Sequence, residues 1–132
     1  MNFEDITGKL SPFFQSNNFS IAESFKDYIR YVHEPINIVV AYDWRDKSIS
    51  VIVEEGGKHV VELSDSTIRE FFNDDIKLRN DGFFSETLLK FLNGKGNPLM
   101  NADLNTFSKL KEFSNRMSKK YTDNLSKKDN LK

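Results

Sequence analysis

The sequence predicts an α+β fold: a four-stranded antiparallel meander sheet with an N-terminal helix and three C-terminal helices packed on one face. Three observations point there. Large apolar residues alternate with period two between Ile36 and Val53. The intervening turns are short, and their lengths keep those residues on one face. After Leu63 the apolar spacing changes to that of helices.

Ile36, Ile38, Val40, Tyr42 and Trp44 alternate with Asn37, Val39, Ala41 and Asp43, and Ile49, Val51 and Val53 alternate with Ser48, Ser50 and Glu54. A two-residue loop at Asp46-Lys47 would pair Trp44 with Ile49, Tyr42 with Val51 and Val40 with Val53; a four-residue loop preserves the parity. At Gly56-Gly57 a clean two-residue loop would set Val51 against Glu62, a poor match. A longer loop or a bulge, with glycine at positive φ, sets Val53 against Val61 and Val51 against Leu63. Upstream, Tyr28 to His33 reads as a strand, and a turn at Glu34-Pro35 places Tyr31 opposite Ile38 and Ile29 opposite Val40. The first and last of these four strands are expected at the sheet edges.

Phe3, Ile6, Leu10, Phe13 and Phe14 fall at helical spacing, with Pro12 expected to end the first helix near residue 10 and a turn or short second helix to follow as far as Gln15. Phe19 and Ile21 read equally as loop or strand. Ser64 to Thr67 offers N-caps, including a Thr67/Glu70 capping box, for a helix bearing Ile68, Phe71 and Phe72. Phe84, Leu88, Phe91 and Leu92 make the next helix, with Gly94 at its C′ position. Lys95 to Met100 reads as a loop. Asn101 is placed to cap a long helix whose stripe is Leu104, Phe107, Leu110, Phe113 or Ser114, Met117 and Tyr121. One domain is expected over 1–121 and a flexible basic tail over 122–132. The expected core includes Ile38, Val40, Val51, Val53, Leu63, Phe71, Leu88, Phe91, Phe107 and Leu110.

The 132 residues suffice for one core, and twelve phenylalanines suggest that rings fill it. Net charge is −1, so no global field steers the chain to nucleic acid or an anionic membrane. No apolar run approaches the roughly 20 residues of a membrane span, and no signal peptide is visible. Cysteine is absent, which excludes thiol chemistry and fits a cytoplasmic location.

Chemistry-bearing patterns are sparse. His33 and His59 are the only histidines, too few nitrogen ligands for a structural zinc site. Asp43/Asp46, Glu54-Glu55 and Asp74-Asp75 flank turns, where carboxylates solvate and cap backbone. Gly94-Lys95-Gly96 lacks the surroundings of a phosphate-binding loop. No metal, cofactor or catalytic residue is therefore expected, and the Tyr/Arg content does not form a nucleic-acid platform because Tyr42 and Tyr28 fall on opposite faces. The alternative is a small enzyme or ligand-binding domain using turn carboxylates, which requires Asp43, Glu54, His33 or His59 to converge on a pocket.

The sheet face away from the helices should show Tyr28, Arg30, Val32, Val39, Ala41, Ile52, Val60 and Glu62, with Asp43 and Glu54 near one end. Either it is partly covered, or it is a semi-apolar surface for a partner. The expected contact residues are Tyr28, Arg30, Val39, Asp43, Ile52 and Glu54. The run from Tyr31 through Tyr42-Asp43-Trp44-Arg45 to Val53 resembles the strand, Tyr-Asp-x-Arg and strand segment of small bacterial immunity-type and uncharacterised proteins. That resemblance implies a cytoplasmic protein that neutralises a toxin by binding it. The partner is then another protein, engaged by a monomer or weak dimer, without nucleic acid or membrane.

Overall fold

In the computed structural model, which describes residues 2–130 and side chains through 119, the strand-forming runs build one antiparallel sheet of five strands in sequence order. They are β1 (Ser20–Ser24), β2 (Tyr28–His33), β3 (Ile36–Asp43), β4 (Ser48–Glu55) and β5 (Lys58–Glu62). The helices are α1 (Phe3–Ser16), α2 (Asp65–Phe72), α3 (Phe84–Asn93), the short α4 (Asn97–Met100) and α5 (Leu104–Asn130). The class is the expected α+β, but the sheet has five strands rather than four, and its edges are β1 and β5.

The additional strand holds the ambiguous Ile21. Apart from half-buried Glu23, all of β1 is exposed, so burial imposes no alternation on its sequence. It pairs with β2 through Ile21↔Tyr31 and Glu23↔Arg30, with a register shift between them.

Register elsewhere follows hydrophobic pattern. Tyr31 faces Ile38 and Ile29 faces Val40, as turn length requires. Across β3 and β4 the four-residue turn holds, pairing Ile38 with Val53, Val40 with Val51 and Tyr42 with Ile49. The Asp43 carboxylate accepts from the Arg45 and Asp46 N–H groups at 2.8 and 3.3 Å, and Lys47 takes the left-handed conformation at φ 52°. Trp44 therefore lies in the turn, 56% exposed, with its ring edge-on to Tyr42 at 4.7 Å and outside the buried core cluster. At the next turn Gly56 and Gly57 adopt φ 55° and 90°. A bulge then restores Val53 to Val61, and the Leu63 N–H reaches the Val51 carbonyl at 2.7 Å. The bulge shifts Val60 off the open face: its side chain packs against the core and its carbonyl accepts from the Ser114 hydroxyl.

The helices cover the Ile29/Tyr31/Ile38/Val40/Val51/Val53 face, and these residues join Leu10, Phe14, Ile68, Leu88, Phe91, Phe107 and Leu110 in one buried cluster. Phe71 lies half-buried at its margin. Tyr31 stacks on Phe14 with centroids 4.1 Å apart, and its hydroxyl shares a 2.8 Å hydrogen bond with Ser11.

Several helix ends differ from expectation. Helix α1 passes through Pro12 to Ser16. Proline forgoes the N–H bond to the Gly8 carbonyl, but burial of Phe3, Ile6, Leu10 and Phe14 contributes about 1.5–3 kcal/mol per side chain and outweighs that loss. Ser64 caps α2, accepting from the Thr67 N–H at 3.3 Å, so Thr67 lies within the first turn. Asn73 ends α2 in the left-handed region at φ 55°, whereas Gly94 caps α3 at φ −104° without needing that freedom. The expected loop at 95–100 contains α4, anchored by buried Leu99 and Met100. Asp103 rather than Asn101 caps α5, accepting from the Asn105 N–H and Thr106 hydroxyl at 3.1 and 3.0 Å. Leu104 is consequently exposed in the first turn. The side chains of Tyr121 and Leu125, all of Leu131, and the expectation of a flexible tail over 122–132 lie outside the residues so described. Among the described residues no helix is long and apolar enough to cross a membrane.

Candidate binding face of the sheet

Side chains opposite the helix layer form rows across the strands. One row runs Glu23, Arg30, Val39, Ile52 and Glu62; the next contains Val32, Asn37, Glu54 and His59. At the β5 end His59 and Glu62 border grooves shared with α5 and α2; on the inner strands Val39, Asn37 and Glu54 are only 5, 8 and 9% exposed.

Arg30 explains this burial. It stands on β2, while its partner Glu54 stands on β4, two strand spacings or about 10 Å away. The guanidinium meets both carboxylate oxygens, Nε to Oε1 at 3.0 Å and Nη2 to Oε2 at 3.4 Å. Its stem must therefore cross β3, where Val39 and Asn37 lie beneath it. Nη1 also pairs with Glu23, which accepts a further short hydrogen bond from the Tyr28 hydroxyl. The ring of Tyr28 lies 5.7 Å from the guanidinium carbon.

These contacts favour the charged forms of Glu23 and Arg30 and the neutral form of Tyr28. Hydrogen bonding from Tyr28, followed by the Arg30 charge, holds the Glu23 carboxyl below its ordinary range. The same bond to Glu23 raises the Tyr28 hydroxyl. Hydrogen bonding to Glu54 is the foremost cause raising Arg30. The network is thus a preformed strap of two carboxylates, one guanidinium and one phenol across three adjacent strands and the β1 edge.

Of the six contact residues expected from sequence, Tyr28, Arg30 and Glu54 meet in this network, Val39 lies under it, and Ile52 is half-buried beside Val39 in the row. Asp43 is separate, at the far end of β3, with its carboxylate spent on the turn. Sequence reasoning missed Glu23, because β1 was not assigned as a strand; once it is, the Glu23↔Arg30 pairing identifies it.

Two open grooves border the strap. One of about 630 Å³ lies at the β3–β4 turn beside Asp27, Tyr42, Asp43, Trp44 and Arg45. Trp44 is 56% exposed there; Phe25, in the β1–β2 turn and 57% exposed, packs on Tyr28 at 4.9 Å, and Lys26 lies 5.6 Å from the Trp44 ring centre. The other, of about 610 Å³, lies toward the β2–β3 and β4–β5 turns.

The acid–base constellation of the alternative reading does not assemble. His33 faces the helix layer, edge-on to Phe19 at 5.1 Å, whereas Glu54 is on the opposite face. Asp43 is about 20 Å along the sheet from Glu54, six residues of strand. Only His59 is near Glu54, as its register partner. Among the described residues no three His, Asp or Glu side chains cluster as metal ligands.

The geometry defines an α+β domain with one helix-covered and one open sheet face. Comparison with family models, curated proteins and solved structures gives no match for the chain.

Proposed function

We propose that the chain is a protein-binding domain whose open sheet face receives its partner. The observation that carries this reading is the exposure of Phe25 and Trp44 at the margin of a rigid, uncovered face of mixed apolar and charged residues. Interfaces concentrate binding energy in aromatic and arginine side chains held in place beforehand. Tyr28, Arg30, Ile52 and Glu54 supply the floor, and Phe25 and Trp44 the exposed anchors. Neutralisation of a toxin in the cytoplasm is the form implied by the sequence resemblance, and the cysteine-free composition suits that compartment.

Affinity capture in source-organism extract tests the reading. Trp44→Ala and Ile52→Arg should each lose a protein that wild type and Leu104→Arg, altered on α5, retain. Retention by both sheet variants would overturn it.

A further inference from the structure

We propose that the groove between the β2–β3 and β4–β5 turns takes an arginine or lysine side chain from an extended basic segment of the partner protein. The inference rests on the open-face reading and specifies the partner's chemistry. Charge is one-sided here: Glu23, Glu34 and Glu55 line the groove against Arg30 alone. Arg30 is already engaged by Glu23 and Glu54, and Lys111 reaches Glu55 at 3.0 Å. Glu34 is exposed and has no hydrogen bond or ion pair among the described residues.

An independent feature points to a ligand. Asn37 lines the same groove and is only 8% exposed, yet its amide has no hydrogen-bond partner among the described residues. The amide is not sealed from solvent, since His33 Nδ1 is the one fully buried side-chain polar atom without a partner among the described residues; the amide opens into the groove, where a ligand can take up its unused hydrogen-bonding capacity. A guanidinium offers five N–H donors and no acceptor, matching the Asn37 carbonyl oxygen and the free Glu34 carboxylate. Val32 and Pro35 provide apolar wall for the methylene stem. The groove reaches β1, whose outer side has no neighbouring strand. An extended segment can lie along that edge and place a side chain inward.

The probe is acetyl-Ala-Arg-Ala-amide, with its neutral citrulline analogue and spermidine as comparisons, titrated into isotope-labelled full chain and followed by NMR. Saturable shifts of the Asn37 side-chain amide are expected with the arginine peptide and not with citrulline. Glu34→Gln, at an exposed turn, and Asn37→Ala should each weaken binding about fivefold, the worth of one hydrogen bond. An unmoved Asn37 amide, equal response to citrulline, or unchanged affinity in Glu34→Gln would overturn the proposal. Tighter binding of spermidine than of peptide would also overturn it, identifying a small polyamine site. Failure here with partner loss in Ile52→Arg intact removes the groove and keeps the open face. Arginine binding without an Ile52→Arg effect on the partner does the reverse.

Discussion

Replacing Arg30 by methionine isolates what the strap contributes. Methionine retains an apolar stem over Val39 but removes the guanidinium. Two partners lose their hydrogen bonds, with unequal consequences. The Glu23 side chain is 38% exposed, so water can resolvate it and its lost pair contributes little to stability. The Glu54 side chain is 11% exposed and cannot hydrate freely; leaving it unpaired should cost about 2–3 kcal/mol. Glu54→Leu should cost less, about 1 kcal/mol, because Arg30 keeps Glu23 and part of its hydration. The Arg30→Met/Glu54→Leu double variant buries no orphan carboxylate and should recover most of the loss. Urea unfolding of all four proteins yields the coupling directly. Arg30→Met within about 0.5 kcal/mol of wild type, or strictly additive single effects, would refute the strap and make the ion pair surface decoration.

Other outcomes follow from the core. Burial raises the Tyr31 hydroxyl above its usual 10.0, with the Ser11 hydrogen bond acting against it. The unfolded chain therefore ionises first: Tyr31's contribution is complete below about pH 10 and is lost as pH rises through the folded value. Tyr31→Phe should cost about 1 kcal/mol at neutral pH and flatten the alkaline decline in thermal stability; an unchanged decline would exclude Tyr31 as its source. Two glycine substitutions should have opposite signs in chemical melts. A Cβ at Gly8 meets nothing within 4 Å, so Gly8→Ala should stabilise α1 by about 0.8–1 kcal/mol. A Cβ at Gly96 would come within 2.6 Å of the buried Phe91 ring, so Gly96→Ala should destabilise by about 1–3 kcal/mol.

The central sheet was legible because each buried face constrains two strands at once. Tyr31 opposite Ile38 fixes the Glu34-Pro35 turn, and Val53 opposite Val61 forces the bulge after Gly57. Where burial does not constrain the chain, the sequence was silent: β1 is mostly exposed and carries no alternation. Trp44 misled because hydrophobicity favours burial, while the Asp43 carboxylate organises a wider turn that leaves the indole outside. Pro12 misled because local propensity was weighed without the tertiary burial on both sides of it. The candidate site was half legible. Parity placed Tyr28, Arg30, Val39, Ile52 and Glu54 on one face, but it could not show a side chain crossing β3 to the next strand. Asn37 carried no signal at all, since its significance lies in a missing partner.

Photo-crosslinking in cells of the source organism tests the open-face assignment most directly. A benzophenone side chain at Ser50, on that face, is compared with one at Lys109, exposed on α5. The account predicts one discrete protein adduct from Ser50 and none from Lys109. An adduct from Lys109 with none from Ser50 would contradict it.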